Sequence, residues 1–306
     1  MSIRIVFLGT GAAVPTAQRS LPAVLLQRRN KQVLFDCGEA AQRQMIMAKA
    51  GLHKKLGIFI THMHGDHVLG LPGLLQTMAL MDRQKPVDVY GPVGLQHFLN
   101  CLQETLQFQL TFEVNVHEVT EAGIVCDEEE YTVAAAPSNH SVTSFSYAFM
   151  EKPRAGKFHP EKAKTLGVPQ GEAWSKLQHG LEFVLPNGGM VKPEDVSDPP
   201  RKGRKIVYTG DTRPFAGFAS FAADADLVIH EATFDDALAE KAEVDGHSIP
   251  SQAAAEAKAA NAKSLILTHI SARYSDTALL VEQAKKVFPN TVAAQDFLEL
   301  ELPLSE

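Results

Sequence analysis

Cysteine is scarce in this chain. Cys37, Cys101 and Cys126 are the three among 306 residues, odd in number and far apart. That excludes a disulfide framework and the paired C-x-x-C of a zinc knuckle, and it fits a reducing, cytoplasmic setting. Positive charge is also short: 29 Lys and Arg stand against 36 Asp and Glu, a formal net charge of −7. A uniformly basic, phosphate-coating surface is therefore excluded, and nucleic-acid binding would need a local basic patch. Gly and Pro interrupt every apolar run before it is long enough to cross a bilayer. The opening MSIRIVFLGTG reads as a buried first strand running into a glycine turn, not as a secretory signal. Neither membrane association nor an organic cofactor is expected.

What is present is a large apolar fraction, 45% of residues, enough for a sizeable core. IRIVFLG, AVLLQR, QVLFDCG, LGIFITH and VDVYGP read as short strands, and so, later in the chain, do YTVAAAPSNH, KIVYTGD, LVIHEAT and SLILTHI. AAQRQMIMAKAG has helical spacing with Gly51 as its stop. LPGLLQTMALMD, GLQHFLNCLQETLQ and TALLVEQAKKVF are helical as well, and so is HSIPSQAAAEAKAAN, with Ser248 or Ser251 as its cap. From Glu151 to about Asp198 this pattern stops. The segment is polar, rich in Pro and Gly, contains the single Trp174, and has little apolar periodicity. A loop this long in a compact chain is usually functional. The expectation is one layered α+β domain over 1–306 with residues 151–198 inserted as a protruding arm.

The stretch ITHMHGDHVLGLPG places His62, His64, Asp66 and His67 within six positions, directly after an apolar run. His140 follows TVAAAPSN, Asp211 follows KIVYTG, and His269 follows SLILT in the same way. Strand ends are where a rigid scaffold lets loops converge on a ligand. A lone histidine or aspartate at such a place is ordinarily a loop or turn residue. Crowded polar side chains are costly to desolvate without a cation, which inverts that reading for the cluster. His and Asp form a nitrogen and oxygen donor set suited to Zn²⁺, with Mn²⁺, Fe²⁺ or Co²⁺ as alternatives. Seven candidate ligands exceed one tetrahedral ion and suit two ions sharing a carboxylate and a water, a pairing fit for phosphoryl transfer. His53, His97, His117, His159 and His179 read as solvated.

THMHGDHVLGLPG, taken with FLGTGAAVPT, LFDCGE, TGDTRP, HEATF, GHS and LTHISARY, resembles the metallo-β-lactamase fold and, within it, the ribonuclease Z family, along nearly the whole chain. The resemblance implies a four-layered αβ/βα sandwich. It implies two zinc ions per subunit, one on His62, His64 and His140, the other on Asp66, His67 and His269, with Asp211 bridging. It implies endonucleolytic cleavage of precursor tRNA after the discriminator base by a hydroxide shared between the ions, with Asp66 as general base. His247 would support the developing charge or protonate the leaving oxygen. Asp36, His230 and Glu231 would orient the ligands. In such a homodimer the arm of one subunit grips tRNA on the other, here through Lys152, Arg154, Lys157, Lys162, Lys164 and Lys176. Lys54, Lys55, Arg201, Lys202, Arg204, Lys205 and Arg273 would extend that surface. The alternative is a dinuclear phosphodiesterase or thioester hydrolase acting on small molecules.

Overall fold

The computed structural model describes residues 2–304 and divides into two compact units. One comprises residues up to 128 together with 132–150 and 205–304; the other comprises 129–131 and 151–204.

Two seven-stranded sheets build the first unit. In spatial order the first runs Glu299–Leu302, Ile3–Gly9, Ala23–Arg28, Lys31–Phe35, Lys55–Phe59, Val87–Pro92 and Val114–Val119. It is antiparallel as far as Lys31–Phe35 and parallel beyond. The second runs Thr291–Ala293, Leu265–Thr268, Leu227–Glu231, Lys205–Tyr208, Phe145–Glu151, Tyr131–Pro137 and Gly123–Asp127. Its first four strands are parallel. Strands such as LILT and LVIHE are buried without alternation because both of their faces are covered. On the outer face of the first sheet, Val6, Leu25, Leu34 and Ile58 pack with Met45, Leu71, Leu74 and Met78 of the helices Ala41–Met47 and Gly70–Leu80. On the second, Val207, Val228 and Leu265 pack with Phe218, Ala253, Ala257 and Leu280. Between the sheets Phe35 stacks on Tyr208 and Tyr147 at 5.4 and 6.2 Å, and Phe59 meets Tyr147 edge-on at 5.5 Å. The result is the expected helix–sheet–sheet–helix sandwich.

Two local expectations fail. The first helix ends at Met47, and Lys49 takes the left-handed position (φ 52°) before Gly51 is reached. The helix Pro250–Ala259 is not capped by Ser248 or Ser251. Pro250 fills its first position, Gln252 Oε1 accepts from Ile249 N at 3.1 Å, and Ser248 Oγ donates to Thr212 O at 2.6 Å instead.

The second unit has structure of its own where the sequence reads as a long loop. It carries the short helices Pro160–Thr165, Glu172–Gln178 and Pro193–Val196, and a hairpin pairing Phe183–Val184 with Met190–Val191. Ala163, Val168, Ala173, Leu177, Val191 and Val196 form a small core, with Trp174 donating from Nε1 to Val168 O at 3.1 Å. Within this unit Arg204 and Glu151 make a bidentate ion pair, both side chains buried. Arg204 is therefore not a surface group for phosphate, because its guanidinium is already consumed by a buried carboxylate. No helix among the described residues is long and apolar enough to cross a membrane.

Candidate metal centre

The strand Lys55–Phe59 runs out into Ile60, Thr61 and His62, and the chain then turns into the one-turn helix Gly65–Val68, which carries Asp66 and His67. The ends of Tyr131–Pro137, Lys205–Tyr208 and Leu265–Thr268 deliver His140, Asp211 and His269 to the same place. Ligating atoms of His62, His64, His140 and Asp211 lie within 4.8 Å of one another, and so do those of Asp66, His67 and His269. Asp211 faces both groups. Its Oδ1 is 3.4 Å from His67 Nε2 and 3.2 Å from His269 Nε2, while its Oδ2 is 3.7 Å from His62 Nε2.

Four of the five imidazoles are oriented from behind, whereas His64 turns its Nδ1 towards His62 Nε2 and His140 Nε2, at 3.0 and 3.3 Å. His67 Nδ1–H donates to Asp36 Oδ2 at 2.7 Å. Asp36, buried and left-handed at φ 55°, also accepts from Thr61 N at 2.8 Å and from the Tyr208 hydroxyl at 2.8 Å. Thr61 Oγ1 donates to Asp36, which leaves it to accept from His62 Nδ1 at 3.0 Å. His269 Nδ1–H meets Thr233 Oγ1 at 2.8 Å, and that hydroxyl donates to Glu231 Oε2 at 2.7 Å. His140 Nδ1–H donates to Gly246 O at 2.8 Å. A bond at Nδ1 fixes the tautomer that leaves the Nε2 lone pair facing inward, an arrangement usual for metal-binding histidines.

His67 Nε2, His269 Nε2 and Asp211 Oδ1 are buried and have no hydrogen-bond partner. Three converging orphan acceptors would each cost on the order of 1–3 kcal/mol, and a cation between them removes that cost. The donor set thus fits divalent metal, and its two groups sharing Asp211 fit a pair of ions. Burial opposes charge on Asp66, yet the His269 and His67 rings, each with Nε2 3.5 Å from its Oδ2, outweigh burial and hold it well below the usual carboxylate range. Burial opposes the Asp211 charge too, and the neighbouring His269 and His67 overcome it.

A cleft of about 290 Å³ opens on this cluster, lined among others by Asp66, Phe234, Lys241, His247 and Arg273. Lys241 Nζ and the Arg273 guanidinium carbon stand 5.3 and 6.0 Å from the Phe234 ring centre, and Lys241 pairs at 2.7 Å with Asp245, which lines the cleft too. His247 Nδ1–H donates to Glu231 Oε1 at 2.8 Å. Burial lowers the basicity of His247, but the Glu231 charge and hydrogen bond raise it further, to about 9.

Of the expected orienting residues, Asp36 and Glu231 stand behind the ligands and His230 does not. His230 Nδ1 bonds Glu231 O at 2.7 Å and its Nε2 meets Glu256 Oε2 at 2.9 Å. Both ring nitrogens face acceptors, so it is a buried imidazolium serving the helix Pro250–Ala259. The expected basic residues Lys152, Arg154, Lys157, Lys162, Lys164 and Lys176 all belong to the second unit. Lys164 pairs with Glu161 and Lys176 with Glu172, each at 2.9 Å, and Arg154 has its Nε and Nη2 buried. Thr61, Thr233, Tyr208 and Ala13 are site residues that the sequence reading missed. Thr61 and Thr233 sit one residue before His62 and inside HEATF, the one usable signal. Ala13 contributes a backbone N–H, donating to Asp66 Oδ2 at 2.9 Å from a left-handed residue (φ 55°), which no side-chain motif announces.

The sequence is 45% identical over 302 residues to ribonuclease Z of Methanosarcina acetivorans, covering 98% of each chain. The Archaeoglobus fulgidus ribonuclease Z is 43% identical over the full length of both. The chain belongs to the ribonuclease Z family. The human short-form tRNase Z has the same fold, with a TM-score of 0.74 at 32% identity over 98% of this chain and all of that one. The metallo-β-lactamase fold protein YhfI of Bacillus subtilis, at 19% identity and a TM-score of 0.68, shares the fold over 98% of this chain and all of its own. Residues 3–155 also match a family described as Anti-Pycsar protein Apyc1. That match contains the His62–His67 cluster and His140 but ends before Asp211, His247 and His269.

Proposed function

We propose that this protein is a metal-dependent endoribonuclease that cuts precursor tRNA after the discriminator base, leaving a 3′-hydroxyl on the tRNA and a 5′-phosphate on the trailer. The observation that carries the reading is the pair of buried donor groups joined by the two oxygens of Asp211, in a chain of the ribonuclease Z family. Two zinc ions are the proposed occupants, held by His62, His64 and His140 and by Asp66, His67 and His269, with Asp211 between. Bound there, they would lower the pKa of water towards neutrality and offset the charge of the phosphodiester.

The chain's own groups supply the rest. Asp66 Oδ2, steadied by the Ala13 amide, accepts a proton from the attacking water. His247 has its Nδ1 committed to Glu231 and lines the cleft, so its Nε2 carries a proton to the departing 3′-oxygen. Arg273 on the rim attracts phosphate. The proposed arm, residues 151–198, supplies further contacts to tRNA within a homodimer acting in the cytoplasm.

Precursor tRNA incubated with the protein, with both fragments sequenced, tests the reading. Cleavage at the discriminator that disappears in Asp66→Ala is the expected result. A cut elsewhere, or full activity in that variant, overturns it.

A further inference from the structure

Arg213 lies in TGDTRP, two residues past Asp211, and it touches neither of the donor groups described above. Its contacts run in two other directions. Its backbone N–H donates to Asn139 O at 2.9 Å, the residue before His140. Its side chain reaches the C-terminus of the helix Ala239–Asp245, where Nε donates to Glu243 O at 2.6 Å and Nη2 to Val244 O at 3.3 Å. The last carbonyls of a helix have no partner within it. Ala242 O is taken by the N–H groups of Gly246 and His247, and the next two carbonyls are the ones Arg213 takes. A planar guanidinium can hold two such acceptors at once and complements the negative end of the helix dipole.

The turn fixed in this way carries two groups of the site. Gly246 O receives the His140 Nδ1–H at 2.8 Å, and His247 follows immediately. Gly246 is left-handed at φ 89°, and a Cβ there would stand 2.8 Å from His140 Nδ1, so the turn is pressed against the His140 ring. Ser248 Oγ closes the other side on Thr212 O at 2.6 Å. The segments bearing His140, Asp211 and His247 thus meet at one residue, the first through its backbone N–H and the last through its guanidinium.

We propose that Arg213 is a positioning residue for the reaction: it holds the 243–247 turn so that His247 meets the leaving oxygen. The proposal rests on the ribonuclease reading above and on the proton-donor role given there to His247. A group that acts through a proton donor matters for a poor leaving group and not for a good one. A ribose 3′-oxygen needs that proton, whereas p-nitrophenolate leaves without it.

The test compares precursor tRNA with bis(p-nitrophenyl) phosphate for the wild type, Arg213→Ala, His247→Ala and the double variant, with the zinc content of each measured. Arg213→Ala is expected to lose about tenfold or more in kcat on tRNA, with KM little changed and zinc retained, and to lose less than about threefold on the aryl diester. The double variant is expected to be no slower than His247→Ala, since two groups acting as one are not additive. Equal losses on both substrates, additive losses in the double variant, or an unchanged tRNA rate each overturn the proposal. Should Arg213→Ala fail to fold, Arg213→Lys keeps the charge and one of the two bonds, and its tRNA loss must exceed its aryl-diester loss. A wild type that never cuts tRNA would defeat the functional reading itself, a result separate from any ratio between variants.

Discussion

The metal centre and the 151–204 unit use charged residues in opposite ways. At the centre, His62, His67, Asp211 and His269 are buried, and three of their ligating atoms lack hydrogen-bond partners. In the 151–204 unit, Lys164 and Lys176 are exposed and already paired with glutamates one helical turn away. The first arrangement is costly unless something arrives to complete it, which marks a site. The second is self-sufficient, each pair being worth little, and by itself marks nothing. Residue type does not distinguish the two regions; the convergence of several unsatisfied acceptors on one point does.

The sharpest way to break this comparison is to remove Asp66 or Asp211. Asp66→Ala should lower cleavage by about 10³-fold or more, the scale of losing a group used in the transition state. Asp211→Asn should remove most of the thermal stabilisation given by added zinc. A ligand at a thousand times its Kd contributes about 4 kcal/mol, so chelator and zinc should shift the melting temperature of the wild type by many degrees and that of Asp211→Asn by much less. Equal shifts would show that the buried orphans are not where metal binds. Next come the groups behind the ligands. Thr233→Val cuts the relay from Glu231 to His269 and should weaken zinc affinity about 10- to 100-fold, read by competition with a chromogenic chelator.

The candidate donors His62, Asp211 and His269 stood out in the sequence because each follows an apolar run with one or two residues between, and a buried strand end fixes where the following residues go. Tyr208 could not: it reaches Asp36 across 172 residues, and nothing local to KIVYTGD requires a hydroxyl there. Ser248 looked like a helix cap because it precedes an alanine-rich run, but Thr212 competes for its hydroxyl and wins. His230 and Glu231 are adjacent in HEATF, and strand alternation sends them to opposite faces, one to the site and one to the helix Pro250–Ala259. The 151–204 unit was illegible for a different reason. Its helices are four to seven residues long, too short for a 3.6-residue period to register.

His230 and His247 give pH signatures that separate site from scaffold. His247 is raised from its ordinary 6.5 to about 9, so its proton is present at neutral pH and lost as pH rises through that value. The kcat on tRNA should fall above about pH 9, approaching tenfold per unit, and Glu231→Gln should move that limb down. His230 is pulled down by burial and raised overall by Glu256. Its pairing stabilises the fold fully below the unfolded value near 6.5, and that contribution is lost as pH rises through the higher folded value. Glu256→Ala should cost about 3 kcal/mol near pH 6, as for other buried pairs that lose one partner, and less at alkaline pH. Denaturant melts across pH 6–10 read the difference, and a deficit that grew with pH would refute the imidazolium assignment.

The smallest effects belong to the second unit. Lys164→Ala and Lys176→Ala each remove an exposed pair, so stability should change by no more than about 0.5 kcal/mol. If these lysines also meet tRNA phosphates, each should raise KM for precursor tRNA about two- to threefold and flatten the salt dependence of binding by about one unit of slope. KM for bis(p-nitrophenyl) phosphate should stay the same, since that substrate has no tRNA body to hold. Lys157 and Lys162, which make no ion pair among the described residues, have no glutamate to exchange for a phosphate, so their removal should cost more binding than that of Lys164 or Lys176. If the paired lysines instead matter more, the glutamates are aligning them for RNA, and pairing within this unit would be a mark of function after all.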